Sequence, residues 1–130
     1  MNKVFSSVFV IFDTGLTLKD LNSAPFRKIT IEKEEIVIGK KDDHLFAFNN
    51  SCPHKGASLS KGRLNGDNIV CYMHGYEYNI FNGKLEDMKS WKKDSTWIEQ
   101  NDQWRYSDDL KIYKIFSDNE RIFVELNKTI

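Results

Sequence analysis

Short runs of alternating apolar and polar residues dominate this chain, and this pattern predicts strands rather than helices. Residues 26–32 alternate with a period of two, and residues 4–12 are rich in strand-forming side chains. Further strands are predicted at residues 35–39, 44–48, 68–71, 76–81, 110–116 and 121–126. Helical patterning is limited to one turn near residues 18–22, with room for a second turn in the middle of the chain.

Turn-forming residues separate these runs at regular intervals. The pair Asn82-Gly83 predicts a tight two-residue hairpin, and residues 40–43 and 117–120 predict the turns of two more hairpins. Short strands joined by such turns indicate an all-β fold, either an antiparallel sandwich or a barrel. Because 130 residues have room for one core, residues 1–130 are predicted to form a single domain.

Composition and charge exclude several classes of protein. Apolar residues make up 40% of the chain and aromatic residues 13%, which is typical of a folded globule. The formal net charge is zero, so no global field favours nucleic acid or an anionic membrane as a partner. The apolar run at residues 8–12 is too short to span a bilayer and lacks the features of a signal peptide. We therefore expect a cytoplasmic protein.

The two cysteines of the chain each have a histidine close by in the sequence. Cys52 and His54 form a Cys-x-His pair, and Cys71 and His74 form a Cys-x-x-His pair. One tight turn can present both members of such a pair to one centre, so these four side chains are candidate metal ligands. Ligand identity alone is compatible with a structural zinc ion and with an iron–sulfur cluster. With both cysteines at a metal site, we expect no structural disulfide, as in a reducing compartment.

The residues around these pairs resemble the Rieske iron–sulfur family. That family has the pattern C-x-H, then about fifteen to seventeen residues, then C-x-x-H, and this chain has the pattern intact. The segment between the pairs and the segment after the second pair are also similar to the family, so that the resemblance covers residues 16–86 well and residues 110–126 loosely. It implies an antiparallel sandwich or barrel with a smaller cluster-binding part at about residues 50–84, formed by two loops.

By this resemblance, Cys52 and Cys71 bind one iron of a [2Fe–2S] cluster, and His54 and His74 bind the other. Two ferric ions, two sulfides, two thiolates and two neutral imidazoles sum to zero charge, whereas the all-cysteine cluster carries two negative charges. Adding an electron to the neutral centre costs less Coulomb energy, which raises the midpoint potential to about −150 to +300 mV from about −400 mV. Because the imidazoles can take up protons on reduction, this potential is expected to fall as the pH rises.

The loop residues predict where in that range the midpoint potential lies. High-potential members of the family have extra cysteines joined as a disulfide and a serine directly after the His-Gly of the second loop. This chain has no further cysteine, and Tyr76 stands at the serine position. Tyr78 either donates a hydrogen bond to a cysteine sulfur or is an ordinary buried aromatic residue. Gly56 and Gly75 are the other expected neighbours of the cluster, and we predict a low midpoint potential.

Residues 86–109 depart from the family pattern. They form a longer, charged insert that contains all three tryptophans of the chain, Trp91, Trp97 and Trp104. The tryptophans either pack back onto the sheet or form a platform for a partner protein. Lys55, Lys61 and Arg63, in or beside the ligand loops, are likewise either plain surface charge or a basic rim for an acidic partner.

These features predict a one-electron carrier, a Rieske-type ferredoxin that passes electrons from a ferredoxin reductase to a terminal oxygenase or a similar acceptor. The four ligands leave no open coordination site, and 130 residues have no room for the second iron domain of an oxygenase, so no independent catalytic site is expected. One alternative is an accessory subunit that resembles the small subunit of nitrite reductase. The other is a structural Cys2His2 zinc module.

Overall fold

The computed structural model describes residues 7–87 and 107–129, and within them ten antiparallel strands form three sheets. The strands are β1 (Ser7–Thr17), β2 (Phe26–Ile31), β3 (Glu34–Lys41), β4 (His44–Asn49), β5 (Arg63–Asn65), β6 (Asn68–Val70), β7 (Glu77–Asn79), β8 (Leu85–Asp87), β9 (Lys114–Asp118) and β10 (Arg121–Thr129). Two 3₁₀-helices lie at Leu18–Asn22 and Leu59–Lys61. The predicted all-β antiparallel fold is confirmed, as is the helical turn at residues 18–22.

The middle sheet has the strand order β2-β3-β4 and lies between the other two, β1-β10-β9 and β5-β6-β7-β8. Along β3, Ile36 and Ile38 enter a core shared with β10, whereas Val37 enters a core shared with β6 and β7. Successive side chains of a strand point to opposite faces, so an unbroken apolar run fits a sheet that is covered on both sides. The core shared with β6 and β7 also contains both cysteines.

Two predicted hairpins are confirmed, with their turns shorter than expected. Strand β3 meets β4 at the pair Asp42-Asp43, and β9 meets β10 at the pair Asn119-Glu120. All four of these residues have φ between 50° and 68°, as a two-residue type I′ turn requires. Aspartate and asparagine tolerate this left-handed conformation better than most residues, and this explains why polar clusters mark both turns.

The prediction of a two-residue hairpin at Asn82-Gly83 is wrong. Asn79 is paired with Lys84, which leaves a four-residue loop at residues 80–83 between β7 and β8. The side chain of Asn79 stabilises this wider loop, because its Oδ1 accepts hydrogen bonds from the amides of Phe81 and Asn82, at 2.8 and 3.0 Å. Strand β8, which follows, and strand β5, which lies between the two Cys–His pairs, were not predicted.

The three tryptophans lie outside the described residues, as does most of the predicted insert at residues 86–109. The two ends of the insert meet at β8, where the amide of Leu85 donates to Asp109 Oδ1 at 3.0 Å. The amide of Leu110 then donates to the carbonyl of Gly83 at 2.7 Å. Among the residues that the structure describes, no helix is long and apolar enough to cross a membrane.

Candidate metal centre

Two loops with the same backbone hydrogen bonds present the candidate ligands. The first loop (residues 52–57) follows β4, and the second loop (residues 71–76) joins β6 to β7. In each, the cysteine amide donates to the carbonyl five residues later, and the glycine amide donates back to the cysteine carbonyl. These bonds are Cys52 N to Ala57 O at 2.8 Å, Gly56 N to Cys52 O at 2.7 Å, Cys71 N to Tyr76 O at 2.8 Å and Gly75 N to Cys71 O at 2.9 Å.

Each loop turns back on itself at a glycine in the left-handed region. Gly56 has a φ of +78° and Gly75 a φ of +72°. A Cβ at Gly75 would meet nothing within 4 Å, and one at Gly56 would meet only Ser51 Oγ at 3.9 Å. The glycines are therefore favoured by backbone conformation rather than by space.

The two thiols are brought together at the buried side of the site. Cys52 and Cys71 are both buried and belong to the same core cluster. The neighbouring Cys71 thiol lowers the pKa of Cys52 to about 6, with further help from the amides of His54 and Lys55. The neighbouring Cys52, together with burial, raises the pKa of Cys71 above its usual value. The pair therefore loses its first proton more readily, and its second less readily, than isolated thiols would.

The two imidazoles meet on the outer side of the site. The ring centroids of His54 and His74 lie 5.0 Å apart, with the rings nearly perpendicular. Burial lowers the pKa of His74, and so do the nearby His54 and Lys55, which keeps this imidazole neutral as a metal ligand must be. The Nδ1 atoms of both rings are buried and have no hydrogen-bond partner among the described residues, although each ring keeps other contacts.

Tyr76 stacks on the first-loop histidine. Its ring centroid lies 4.1 Å from that of His54, with 12° between the planes, and the tyrosine is only 4% exposed. A residue of the second loop thus covers the ligand candidate of the first. The sequence placed Tyr76 beside the site, but the stacking partner lies 22 positions away and no local pattern predicts it.

Tyr78 is fully buried, and its hydroxyl lies beside the first cysteine. The hydroxyl oxygen is 3.6 Å from Cys52 Sγ and 2.7 Å from Ser107 Oγ. Burial raises the pKa of Tyr78 far above its usual value, so the phenol keeps its proton. Tyr78 is therefore a buried aromatic residue whose hydroxyl also contacts a cysteine sulfur. Ser107, at the far end of the predicted insert, was missed because no motif connects it to the site.

Asn50 anchors the residues just after the first loop, Ser58 and Ser60, to the middle sheet. Its side-chain amide donates to Glu35 Oε1 at 3.0 Å and to Ser58 Oγ at 2.8 Å, and its Oδ1 accepts from the amide of Ser60 at 2.8 Å. The asparagine itself is 2% exposed. The bond from Asn50 and the charge of Lys28 hold the pKa of Glu35 below its usual value.

The outer rim of the site exposes two large side chains of the second loop. Tyr72 and Met73 are 50% and 51% exposed, and both directly precede His74. Lys61 Nζ lies 5.9 Å from the centre of the Tyr72 ring, within the range of a cation–π contact. The second loop therefore exposes two large side chains next to His74, and one of them is in contact with Lys61.

The donor set of the site matches that of a two-iron cluster. The thiols form one pair in the core and the imidazoles form another pair, as required by a [2Fe–2S] cluster with one iron at each pair.

Comparison with curated proteins finds similar chains. Apoptosis-inducing factor 3 from Homo sapiens is 34% identical over 70 residues, which are 54% of this chain and 12% of that protein. The ferredoxin component of the naphthalene 1,2-dioxygenase system from Pseudomonas putida is 28% identical over 113 residues, which are 87% of this chain and 93% of that protein. The chain therefore spans about an eighth of the first relative and nearly all of the second.

Solved structures share the fold. The ferredoxin of carbazole 1,9a-dioxygenase from Nocardioides aromaticivorans IC177 superposes with a TM-score of 0.69 at 17% identity, covering 88% of this chain and 95% of that one. A chain in a complex of reduced oxygenase and oxidised ferredoxin of carbazole 1,9a-dioxygenase gives 0.68 at 19% identity, covering 88% and 91%. A family model described as the Rieske [2Fe-2S] domain matches residues 16–114. Since that match spans well over half of the 130 residues, the chain belongs to the Rieske [2Fe-2S] domain family, whose cluster is held by two cysteines and two histidines.

Proposed function

We propose that this chain is a one-electron carrier in which Cys52 and Cys71 bind one iron of the cluster and His54 and His74 bind the other. The observation that carries the proposal is the meeting of the two loops, with the thiols in the core and His74 beside the surface. When bound, a [2Fe–2S] cluster of this ligation supplies reversible one-electron exchange. The residues of this chain would hold it, with the two thiols buried in the core and His74 as the partly exposed ligand that a partner could approach.

The relatives support an oxygenase system as the setting. The relative whose length the chain nearly covers is a dioxygenase ferredoxin component, and a ferredoxin with this fold has been solved in complex with its oxygenase. We infer that this chain accepts electrons from a ferredoxin reductase and passes them to a terminal oxygenase or a similar acceptor. We place it in the cytoplasm, as a single domain of residues 1–130 with its cluster-binding part at about residues 50–84.

The partner is expected to present an acidic face to the histidine end of the site. Residues 51–66 carry Lys55, Lys61 and Arg63 and contain no aspartate or glutamate, although the whole chain is neutral. Lys55 acts electrostatically on His74, and Lys61 borders Tyr72. Because electrostatic complementarity steers docking, a negative surface would associate fastest with this rim.

Two experiments test the function. An EPR spectrum of the dithionite-reduced protein should show the low average g value of a mixed-ligand [2Fe–2S] centre, and a colourless, zinc-loaded sample from iron-replete cells would refute the proposal. Redox cycling with a flavin-dependent ferredoxin reductase and NADH should then be observed. An accessory subunit would instead form a stable complex with a larger reductase without cycling.

Small redox probes test the basic rim without a protein partner. Oxidation of the reduced protein by anionic ferricyanide should slow as salt is added, whereas oxidation by a cationic cobalt(III) complex should not slow. Lys61→Glu should weaken the salt effect with ferricyanide, and Lys114→Glu, on the exposed side of β9, serves as its control. Equal salt dependence for both probes would contradict the acidic-partner proposal alone.

A further inference from the structure

The hydroxyl groups of Tyr78 and Ser107 make three contacts. Tyr78 Oη lies 3.6 Å from Cys52 Sγ and 2.7 Å from Ser107 Oγ, and Ser107 Oγ lies 2.9 Å from the carbonyl oxygen of Asp108. The two hydroxyls carry one proton each. A carbonyl oxygen and a metal-bound thiolate sulfur can only accept hydrogen bonds. Two protons are therefore available for three contacts, and one contact is left without a proton.

The distances show which contacts are the hydrogen bonds. If Ser107 donates to the carbonyl of Asp108, Tyr78 must donate to Ser107, because two hydroxyl oxygens 2.7 Å apart need a proton between them. Both of these bonds fall within the normal range for O–H···O geometry. In the other arrangement Ser107 donates to Tyr78 and Tyr78 to the sulfur, which replaces the contact of 2.9 Å between two oxygens by the contact of 3.6 Å between oxygen and sulfur. Sulfur is larger than oxygen by about 0.3 Å in radius, so each distance is compared with its own van der Waals contact. The oxygen–oxygen distance is shorter than that contact and the oxygen–sulfur distance is longer, which favours the first arrangement.

We propose that Ser107 accepts the hydrogen bond that the Tyr78 hydroxyl donates and thereby keeps this bond from Cys52, which keeps the midpoint potential of this protein low. A hydrogen bond to a cysteine sulfur stabilises the reduced, more negative state and raises the potential. Ser107 is then a positioning residue that acts through Tyr78. The inference rests on the proposed assignment of Cys52 as an iron ligand.

The proposal is tested by the midpoint potentials of a small set of variants of the cluster-loaded protein. Ser107→Ala should turn the Tyr78 hydroxyl to Cys52 and favour reduction by two- to tenfold, or about 18 to 59 mV at 59 mV per tenfold for one electron. Tyr78→Phe alone should leave the potential near that of the wild type. The double variant should match Tyr78→Phe, because Ser107 acts only through that hydroxyl.

Two further variants serve as controls. Ser107→Thr keeps a hydroxyl and should keep the wild-type potential, and Ser117→Ala removes an exposed serine on β9 in a different sheet. Resonance Raman spectra give a second measurement. The iron–sulfur stretching bands of the cysteine ligands should become sensitive to exchange into D₂O in Ser107→Ala. Adding Tyr78→Phe to that variant should abolish this sensitivity.

The proposal would be overturned by a fall in potential in Tyr78→Phe, because that result means that Tyr78 already donates to Cys52. An unchanged potential in Ser107→Ala would overturn it as well. Loss of the cluster in both Ser107→Ala and Ser107→Gly would contradict it too, since a residue that only redirects a proton is not needed for iron binding. The ligand assignment fails separately, if Cys52→Ala retains the visible spectrum of the wild type.

Discussion

The first and second loops have the same backbone frame but different surroundings. Both have the cysteine amide bonded five residues ahead and a left-handed glycine at the fourth position after the cysteine. The residue after that glycine is Ala57 in the first loop and Tyr76 in the second. Tyr76 covers His54, whereas His74 lies beside the exposed Tyr72 and Met73. The shared frame places the ligands, and the side chains around it decide which histidine can meet a partner.

The largest expected effect tests whether the two loops contribute equally to the metal centre. His54→Ala and His74→Ala each remove one of two ligands to the same iron, so both should abolish the visible absorption of the intact cluster. His44→Ala is the matched control, because this exposed third histidine bonds to the carbonyl of Asp42 and is expected to leave the absorption unchanged. Cluster retention in either loop variant would contradict the proposed ligand set.

The second prediction tests whether the buried Tyr76 ring, which covers His54, stabilises the fold more than an exposed ring of the same loop does. Tyr76→Ala removes a buried ring and should lower the free energy of unfolding by about 3 kcal/mol, measured as a shift in the urea midpoint followed by circular dichroism. Tyr72→Ala, in the same loop but half exposed, should change it by less than about 0.5 kcal/mol. Equal losses would mean that the stacking on His54 contributes little.

The third prediction tests the shared frame itself. Gly56→Ala and Gly75→Ala should each cost about 1–2 kcal/mol of unfolding free energy, because an L-residue resists the left-handed conformation while neither new methyl group meets a clash. Gly66→Ala is the control. It has a φ of +60° in the β5–β6 turn and open space around it, so it should show a similar cost without weakening the visible absorption. A difference above about 1 kcal/mol between the two loop glycines would show that the frames are not equivalent.

The sequence predicted the parts of this comparison that depend on local patterns. Period-two alternation and the polar turn segments at residues 40–43 and 117–120 predicted the β architecture, and the spacing of the Cys–His pairs predicted the two loops. Contacts between distant positions were not accessible in this way. Neither the stacking of Tyr76 on His54 nor the contact between Tyr78 and Ser107 has a local pattern, since each joins residues that lie far apart in the sequence. The prediction of a two-residue turn at Asn82-Gly83 was wrong because the Asn79 side chain stabilises a wider loop.

The smallest effect concerns the anchor of the first loop, which the second loop lacks in this form. The bond from Asn50 and the charge of Lys28 lower the pKa of Glu35 below its usual 4.5. A carboxyl group with a lowered folded pKa stabilises the fold above its unfolded pKa and loses that contribution as the pH falls through the folded value. Unfolding should therefore become less pH-dependent below about pH 4.5 in Glu35→Gln.

The Asn50→Ala background separates this anchor from the rest of the fold. Because the Asn50 bond is the largest cause of the shift, Glu35→Gln should change the acid branch of the unfolding curve less in that background than in the wild type. The measurement is the urea midpoint between pH 5 and pH 3, with the visible absorption followed in parallel to report on the first loop. If Glu35→Gln changes the acid branch by the same amount in both backgrounds, Glu35 acts through Lys28 rather than through the loop. The two loops would then differ in the side chains that cover them and not in how their stability depends on pH.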